Sequence, residues 1–571
     1  MVNGDKKADL LFVNGKIITV DSRFSIQQAI AVKRGWIIAV GTDDEIKELK
    51  GPNTEVVDLK GKVLLPGAND THTHGVFYGG TRPPLCLDLT YPNVQSITDI
   101  AEVLKKEVGK RKPGEWIRGF GWDLGFLEEC KNHPDRLPRK YDFDAVSLHH
   151  PIALNDFSAH TLVVNSKALE LAGIDKDTRD PGEGVMERDP DTGEPTGIFK
   201  EFAAQAMVSK LIPLYTMDEL RQATITAMNE MNKNGITSFT DSSLGPGGNE
   251  FVGGLLGEQC IEVYRNLHDE GKLTARVTIG LLMGKYGTIS YNDVKKGLET
   301  IKLPEGLNEL WLRIPMLKIF ADGIPMTKTA WMWEEYIGGG FGSLCVPGAT
   351  DDERYHELIK IICLAHDHGN QVGIHGVGDR ASDAAVDGII KAMCDNPRGD
   401  PRHYLIHGDN MTRKCALRMA RNRIGSSMQP YIKGQIAEIL KLFVGEERAA
   451  HNWPMRTVLD AGVMLSGSSD TPCTYPNWRL AVQAAVLREA WGSGETSGPD
   501  ECITIEEAIR MYTINGAWQD HMDTIKGSIE VGKLADLQVL GEDILSIDPH
   551  QIGQIPVLMT IVGGKVVYEA S

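Results

Sequence analysis

Two histidines, His72 and His74, end the apolar run Val63-Leu64-Leu65-Pro66-Gly67-Ala68-Asn69-Asp70. Residues i and i+2 on a strand face the same way, so both imidazoles can converge on one metal ion. Neutral imidazole suits zinc, iron, nickel or copper, and zinc is the commonest hydrolytic choice. Taken alone, the pair reads equally well as two loop histidines. Three later segments share its form, a short apolar run ending in a ligand type: Gln371–Ile374 before His375, Tyr404–Ile406 before His407, and Val463–Ser469 before Asp470. A further run, Ile314–Leu317, ends at Lys318, with Asp322-Gly323 just beyond.

Eight candidate parallel strands can position these residues: 63–70, 236–240, 275–282, 315–320, 371–375, 404–407, 423–428 and 463–468. Helical segments such as Met217–Asn234 and Asp352–Asn370 repeat apolar residues at three- and four-residue spacing before strands two and five. Strands alternating with helices predict a parallel sheet, and eight of them predict a (β/α)8 TIM-like barrel. Such a barrel keeps its chemistry at the C-terminal strand ends. Residues 71–235 separate the first two strands, far more than one helix requires. Residues 75–215 are therefore expected to form a large insertion subdomain over the active-site face.

Both chain ends read as β. Leu10–Val20 has two apolar runs around Asn14-Gly15, a hairpin-turn signal, and Ala29–Gly41 repeats the pattern around Gly35. Asp536–Leu540 and Met559–Tyr568 resume it. Residues 1–62 and 526–571 are thus expected to build one composite β-sandwich, with the barrel, 63–525, inserted between them.

The composition, 42% apolar and 24% charged, is that of a globular protein. A formal charge of −18 argues against nucleic acid or an anionic membrane as partner. Nine scattered cysteines without CxxC spacing favour a reducing compartment. The charged start, Met1 to Lys7, lacks the apolar region of a signal peptide, and no run has the roughly 18 apolar residues of a membrane span. The expected location is the cytoplasm, with a homodimer as the base case.

Taken in order, these segments resemble the amidohydrolase superfamily, and within it the branch of YtcJ-like and N-substituted formamide deformylase-like proteins. The resemblance rests on Leu65-Pro66-Gly67 to His74, Trp116–Asp123, Asn165–Leu169, Gly235–Ser238, Lys318 to Gly323, His375 to Arg380, Ser469–Pro472 and Gly527–Asp536. It implies a (β/α)8 barrel with a composite β-sandwich, and one or two divalent metal ions, zinc first. The metal ligands it implies are His72, His74, His375, His407 and Asp470. Lys318 is implied as the strand-four lysine that many relatives carboxylate to bridge two metals; a buried ion pair with Asp322 is the alternative.

The chemistry expected is hydrolysis of a C–N bond. A bound metal lowers the pKa of water from about 15.7 toward 7 and polarises a carbonyl. Asp470 then takes the water's proton and passes it to the leaving nitrogen, with His407 as a ligand or a hydrogen-bond partner of water or substrate. Trp122, Asp123, His160 and Gln429 are the expected substrate contacts; the insertion's own core is the competing place for Trp122 and Asp123, and a loop-fixing role for His160. Asp379 and Arg380 are expected to position strand five by a salt bridge, and His366 and His368 to be surface residues. The predicted activity is hydrolysis of the amide or formamide bond of a small N-acyl compound, with an apolar preference taken from Trp116, Trp122, Phe126 and Phe157. Deamination or cyclic-amide opening is the alternative chemistry, and a non-catalytic regulator on the same scaffold the alternative class.

Overall fold

The computed structural model describes residues 7–131, 133, 136–181, 184–284 and 289–570. The first six residues, part of the charged start read above, lie outside them. Eight parallel strands form a barrel in chain order: β1 (Ala68–Thr73), β2 (Ile236–Leu244), β3 (Arg276–Leu281), β4 (Leu312–Phe320), β5 (Gln371–Gly376), β6 (Tyr404–His407), β7 (Gly425–Met428) and β8 (Leu465–Gly467). Neighbouring strands pair in parallel ladders from β1 to β8. The ring is drawn together between β8 and β1 by single bonds, Asp470 N–H to His72 O at 2.9 Å and Thr71 Oγ1 to Gly467 O at 3.0 Å.

The outer helices form where the sequence caps them. Met217–Lys233 starts at a capping box, Thr216 and Glu219 exchanging hydrogen bonds, and buries Leu220, Ala223, Ala227 and Met231 along one stripe. Asp351–Asp367 starts at Thr350, whose side chain accepts from Glu353 N–H, and buries Leu358, Ile361, Ile362 and Ala365.

The two chain ends share a sheet. Val63–Pro66 pairs with Leu537–Leu540 on one side and Lys16–Ile18 on the other. This sheet faces a second one built from Leu10–Val13, Ala29–Lys33, Trp36–Gly41 and Glu55–Asp58. Phe12, Ile30, Leu64, Leu537 and Ile561 fill the space between them.

Two expectations change here. Residues 63–70 are not one strand: Val63–Pro66 belongs to the sandwich, and the barrel begins at Ala68. The chain crosses at Gly67, where a Cβ would sit 2.2 Å from the Thr237 side chain and where the N–H bonds Asp536 O. Asn14-Gly15 does not close a hairpin either. Leu10–Val13 and Lys16–Ile18 lie in different sheets, and Asn14, at φ +56°, carries the chain across with its N–H on Asp43 Oδ1. The Gly35 turn is a hairpin as read, joining Ala29–Lys33 to Trp36–Gly41.

Between β1 and β2, six strands make a separate mixed sheet: Leu87–Asp88, Ile117–Trp122, Ile152–Asp156, Thr161–Val164, Val185–Arg188 and Pro195–Lys200. Its turn Phe157–His160 reaches over the C-terminal mouth of the barrel and lines the cavity there. No helix among the described residues is long and apolar enough to cross a membrane.

Candidate metal centre

His72, His407 and Asp470 each offer a ligand atom, all within 4.8 Å of one another. They stand at the C-terminal ends of β1, β6 and β8. Asp470 Oδ1 lies 3.1 Å from His72 Nε2 and 3.4 Å from His74 Nε2. All four side chains are buried.

Each imidazole is oriented from behind. His74 Nδ1 is 3.1 Å from the carbonyl of Ser242, an acceptor only, so Nδ1 carries the proton and the Nε2 lone pair faces Asp470. His407 Nδ1 is 2.8 Å from Gln429 Oε1. The Gln429 amide is fixed by donating Nε2–H to Ser427 O and Ser468 Oγ, so His407 Nδ1 also carries the proton. His72 Nδ1 pairs with Ser242 Oγ at 2.9 Å. Hydrogen bonds of this kind fix tautomer and ring angle in metal-binding histidines.

Burial holds the His72 pKa well below its usual range, with the nearby Lys318 charge acting the same way. Burial also brings His407 down to about 4. Both rings are therefore neutral, the form that can bind a metal. Burial alone would raise Asp470, but the His72 and His74 rings beside it outweigh burial and hold the carboxylate well below its ordinary value. Three imidazoles and one carboxylate converging there make a donor set that fits a divalent cation such as zinc.

Lys318 is fully buried on β4, with Nζ 3.4 Å from His72 Nε2 and 4.6 Å from the Phe320 ring. Burial pushes it down to about 7. It does not pair with Asp322. The Asp322 carboxylate is taken by the backbone N–H groups of Trp331, Val377 and Gly378, at 2.8–3.0 Å. His375, at the end of β5, is not drawn into the ligand group. Its Nε2 faces Gly323 O at 3.4 Å and Asp322 Oδ1 at 3.9 Å, and its ring meets that of His407 edge-on at 4.4 Å.

A cavity of about 80 Å3 lies over the group. His72, His74, Lys318, His375, His407 and Asp470 line its floor, Phe157 to His160 its roof, and Ile432, Ile436 and Leu440 one wall. A second cavity of about 330 Å3 shares His160 and Phe320 with it. His160 Nδ1 is 2.8 Å from Glu201 Oε2. Burial opposes charge on both groups, yet their mutual attraction raises His160 and lowers Glu201, so each favours the charged form of the other. Glu201 holds φ +64°, ψ 157°, a backbone region almost confined to glycine, so the loop is strained where it meets the cavity.

Of the other expected contacts, Trp122 and Asp123 lie away from the ligand group. Trp122 is buried in the insertion's core beside Leu154, Phe143 and Ile117, with Nε1–H on Leu154 O at 3.2 Å. Asp123 accepts from Gln435 Nε2 at 2.8 Å and lines a neighbouring groove. Gln429 is fully buried behind His407. Arg380 pairs with Asp351 at 3.3 Å and lies over Trp331 and Trp333, while Asp379 accepts from Trp333 N–H, so both fasten the loop after β4 rather than β5 itself. His366 is not a surface residue: it is fully buried, bonded to His403 Nε2 at 2.8 Å and Asn396 O at 2.7 Å. His368 is exposed, as read.

The sequence reading missed Asp241 and Ser242, because it ended β2 at residue 240. The strand continues to Leu244, and Asp241 accepts from Gly75 N–H, Val76 N–H and Tyr264 Oη, fixing the chain just after His74. The signal was present: Thr240-Asp241-Ser242-Ser243 is another polar end to an apolar strand.

A family model described as "Amidohydrolase family" matches residues 55–568. The N-substituted formamide deformylase of Arthrobacter pascens is 30% identical over 569 residues, 98% of each chain. The putative amidohydrolase YtcJ of Bacillus subtilis (strain 168) is 29% identical over 562 residues, 98% of this chain and 99% of that one. An uncharacterized metal-dependent hydrolase from Pyrococcus horikoshii OT3 shares the fold with a TM-score of 0.71 at 24% identity, over 95% of this chain and 99% of that one.

Proposed function

The chain belongs to the amidohydrolase family, and on that footing we propose that it is a metal-dependent hydrolase cleaving the amide or formamide bond of a small N-acyl compound. The observation that carries this reading is the convergence of His72, His407 and Asp470 with their imidazoles oriented from behind. The 30% identity to a formamide deformylase over nearly the whole chain supports a formamide as substrate.

In this reading His72, His74, His407 and Asp470 hold the cation, which is zinc. A carboxylated Lys318, with His375, would extend the set to two ions; its full burial beside His72, with no ion-paired carboxylate among the described residues, supports that role. The cation supplies Lewis acidity, polarising the carbonyl and acidifying water. Asp470 takes the proton from the attacking water and delivers it to the departing nitrogen, which leaves poorly until protonated. His160, held by Glu201 in the roof, donates to the acyl oxygen. Phe157 and the insertion turn keep bulk water from the floor. Nine cysteines with no disulfide among the described residues support a reducing compartment.

The test is formate release from simple N-alkylformamides. Asp470→Asn should retain metal while losing activity by about 100- to 10,000-fold, the usual worth of a general acid–base group. His72→Ala should lose the metal as well. Near-normal turnover by Asp470→Asn would remove Asp470 from proton transfer.

A further inference from the structure

Part of the cavity wall is polar and unsatisfied. The Asp409 carboxyl has no hydrogen-bond partner among the described residues, although the residue is only 7% exposed. Asn452 Oδ1 and Trp453 Nε1, each on a residue 1% exposed, are likewise unpartnered among the described residues. All three residues line the cavity above the metal centre. Buried polar atoms are rarely left without a partner, so three on one cavity wall mark a place where something is received.

The orphaned atoms are also held in place. Trp453 N–H donates to Asp409 O at 2.7 Å, tying the two segments together. Arg488, fully buried, donates to the carbonyls of Ala450, Asn452 and Trp453 at 2.8–3.0 Å. Trp453 itself sits at φ +55°, a strained conformation for a bulky residue that these bonds maintain. The free atom of Asn452 is its oxygen. Asn410 Nδ2 donates to Val377 O, so Asn410 Oδ1 is the acceptor that takes Asn452 Nδ2 at 2.8 Å. Lys433 makes no ion pair with Asp409 among the described residues; its Nζ donates to Ala449 O and Ser497 Oγ.

The same cavity has an apolar flank. Ile432, Ile436 and Leu440, four residues apart on helix Pro430–Val444, present one face to it. A ligand here meets hydrocarbon on one side and, on the other, three side chains whose Asp409 Oδ1, Asn452 Oδ1 and Trp453 Nε1–H lack partners among the described residues. A primary carboxamide supplies the complement: two N–H donors and one carbonyl acceptor on a short aliphatic body.

We propose that Asp409, Asn452 and Trp453 form a substrate subsite for a neutral primary carboxamide carried on a short aliphatic segment. As a statement about substrate class it rests on the hydrolase reading above, but as a binding site it stands on the orphaned atoms alone.

The test is calorimetric binding to the metal-loaded protein of butyramide and of 2-pentanone, in which a methyl replaces the NH2. Ammonia release is followed in parallel to record any turnover of the amide. Butyramide should bind about tenfold or more tightly, because the ketone leaves both oxygen acceptors unpaired. Asn452→Leu and, independently, Asp409→Leu should bring that ratio toward one. Trp453→Phe, which removes the N–H together with part of the ring, should weaken both ligands alike, since both carry the carbonyl and the same aliphatic body. A ratio near one in the unaltered protein, or a ratio unmoved in both folded variants, would overturn the subsite. Amide preference without hydrolysis of any amide would leave the subsite standing and remove the hydrolase reading. Formamide turnover without amide preference would do the reverse.

Discussion

Replacing Gln429 by Met removes the acceptor that holds the His407 ring while nearly preserving volume. The bond is 2.8 Å long, between groups 6% and 0% exposed, so water does not replace the lost partner. Two responses are open to His407. It keeps the proton on Nδ1 and carries a buried unpaired N–H, at about 1–3 kcal/mol. Alternatively it moves the proton to Nε2 and gives up the lone pair directed at the ligand group. Either response lowers metal affinity by about 10- to 100-fold, the usual worth of such a contact and equivalent to about 1.4–2.7 kcal/mol. The bond from Gln429 to Ser468 Oγ is lost too, but Ser468 keeps Ser427 Oγ at 3.0 Å, so this adds little. Zinc affinity by chelator competition, with formamide hydrolysis at saturating zinc, reads the effect. Gln429→Glu, which restores an acceptor, should recover most of it. Unchanged affinity in folded Gln429→Met would refute the assignment of Gln429 as the group that orients His407.

Two further outcomes follow from particular contacts. Glu201→Gln should lower stability by about 1–3 kcal/mol where the His160–Glu201 pair is charged in wild type. The raised His160 pKa contributes below the ordinary 6.5 and is lost as pH rises through its folded value; the lowered Glu201 pKa contributes above the ordinary 4.5 and is lost as pH falls through its own. The gap in melting temperature between the two proteins should therefore be widest between pH 4.5 and 6.5 and narrow on both sides; a constant gap would show that the pair is not ionised. Trp122→Phe loses the bond to Leu154 O and leaves a void in the insertion's core, so it should cost about 2–4 kcal/mol in thermal unfolding with kcat/KM unchanged, and a raised KM would return Trp122 to the substrate.

Much of the barrel was legible because its signals are local. Apolar runs ending in His72, His375, His407 and Asp470 mark strands whose last residues turn inward, and a single strand's alternation is enough to place them. What stayed hidden depends on contacts between distant segments. Nothing near Gly67 says that the chain leaves one sheet for another there; that is decided by the approach of Thr237. Asn14-Gly15 has the composition of a hairpin, and tertiary pairing with Asp43 and Val63 overrides it. Trp122 looks like a substrate contact from its type, but an indole N–H satisfied by Leu154 O belongs in a core. Gln429 and Ser242 work through His407, His72 and His74, so their role becomes visible only when the rings are in place. His366 reads as polar and exposed until His403, far along the chain, supplies its partner.

The central claim is that His72, His74, His407 and Asp470 hold a metal that hydrolysis requires. Elemental analysis of protein purified without added metal, with intact mass measured under native conditions, tests it most directly. One or two transition-metal ions per chain, lost together with formamide turnover on chelation and restored with it, is the predicted result. A mass increment of one carbon dioxide accompanying two ions would place the bridge on Lys318. A chain that takes up no metal even from a zinc solution would contradict the account.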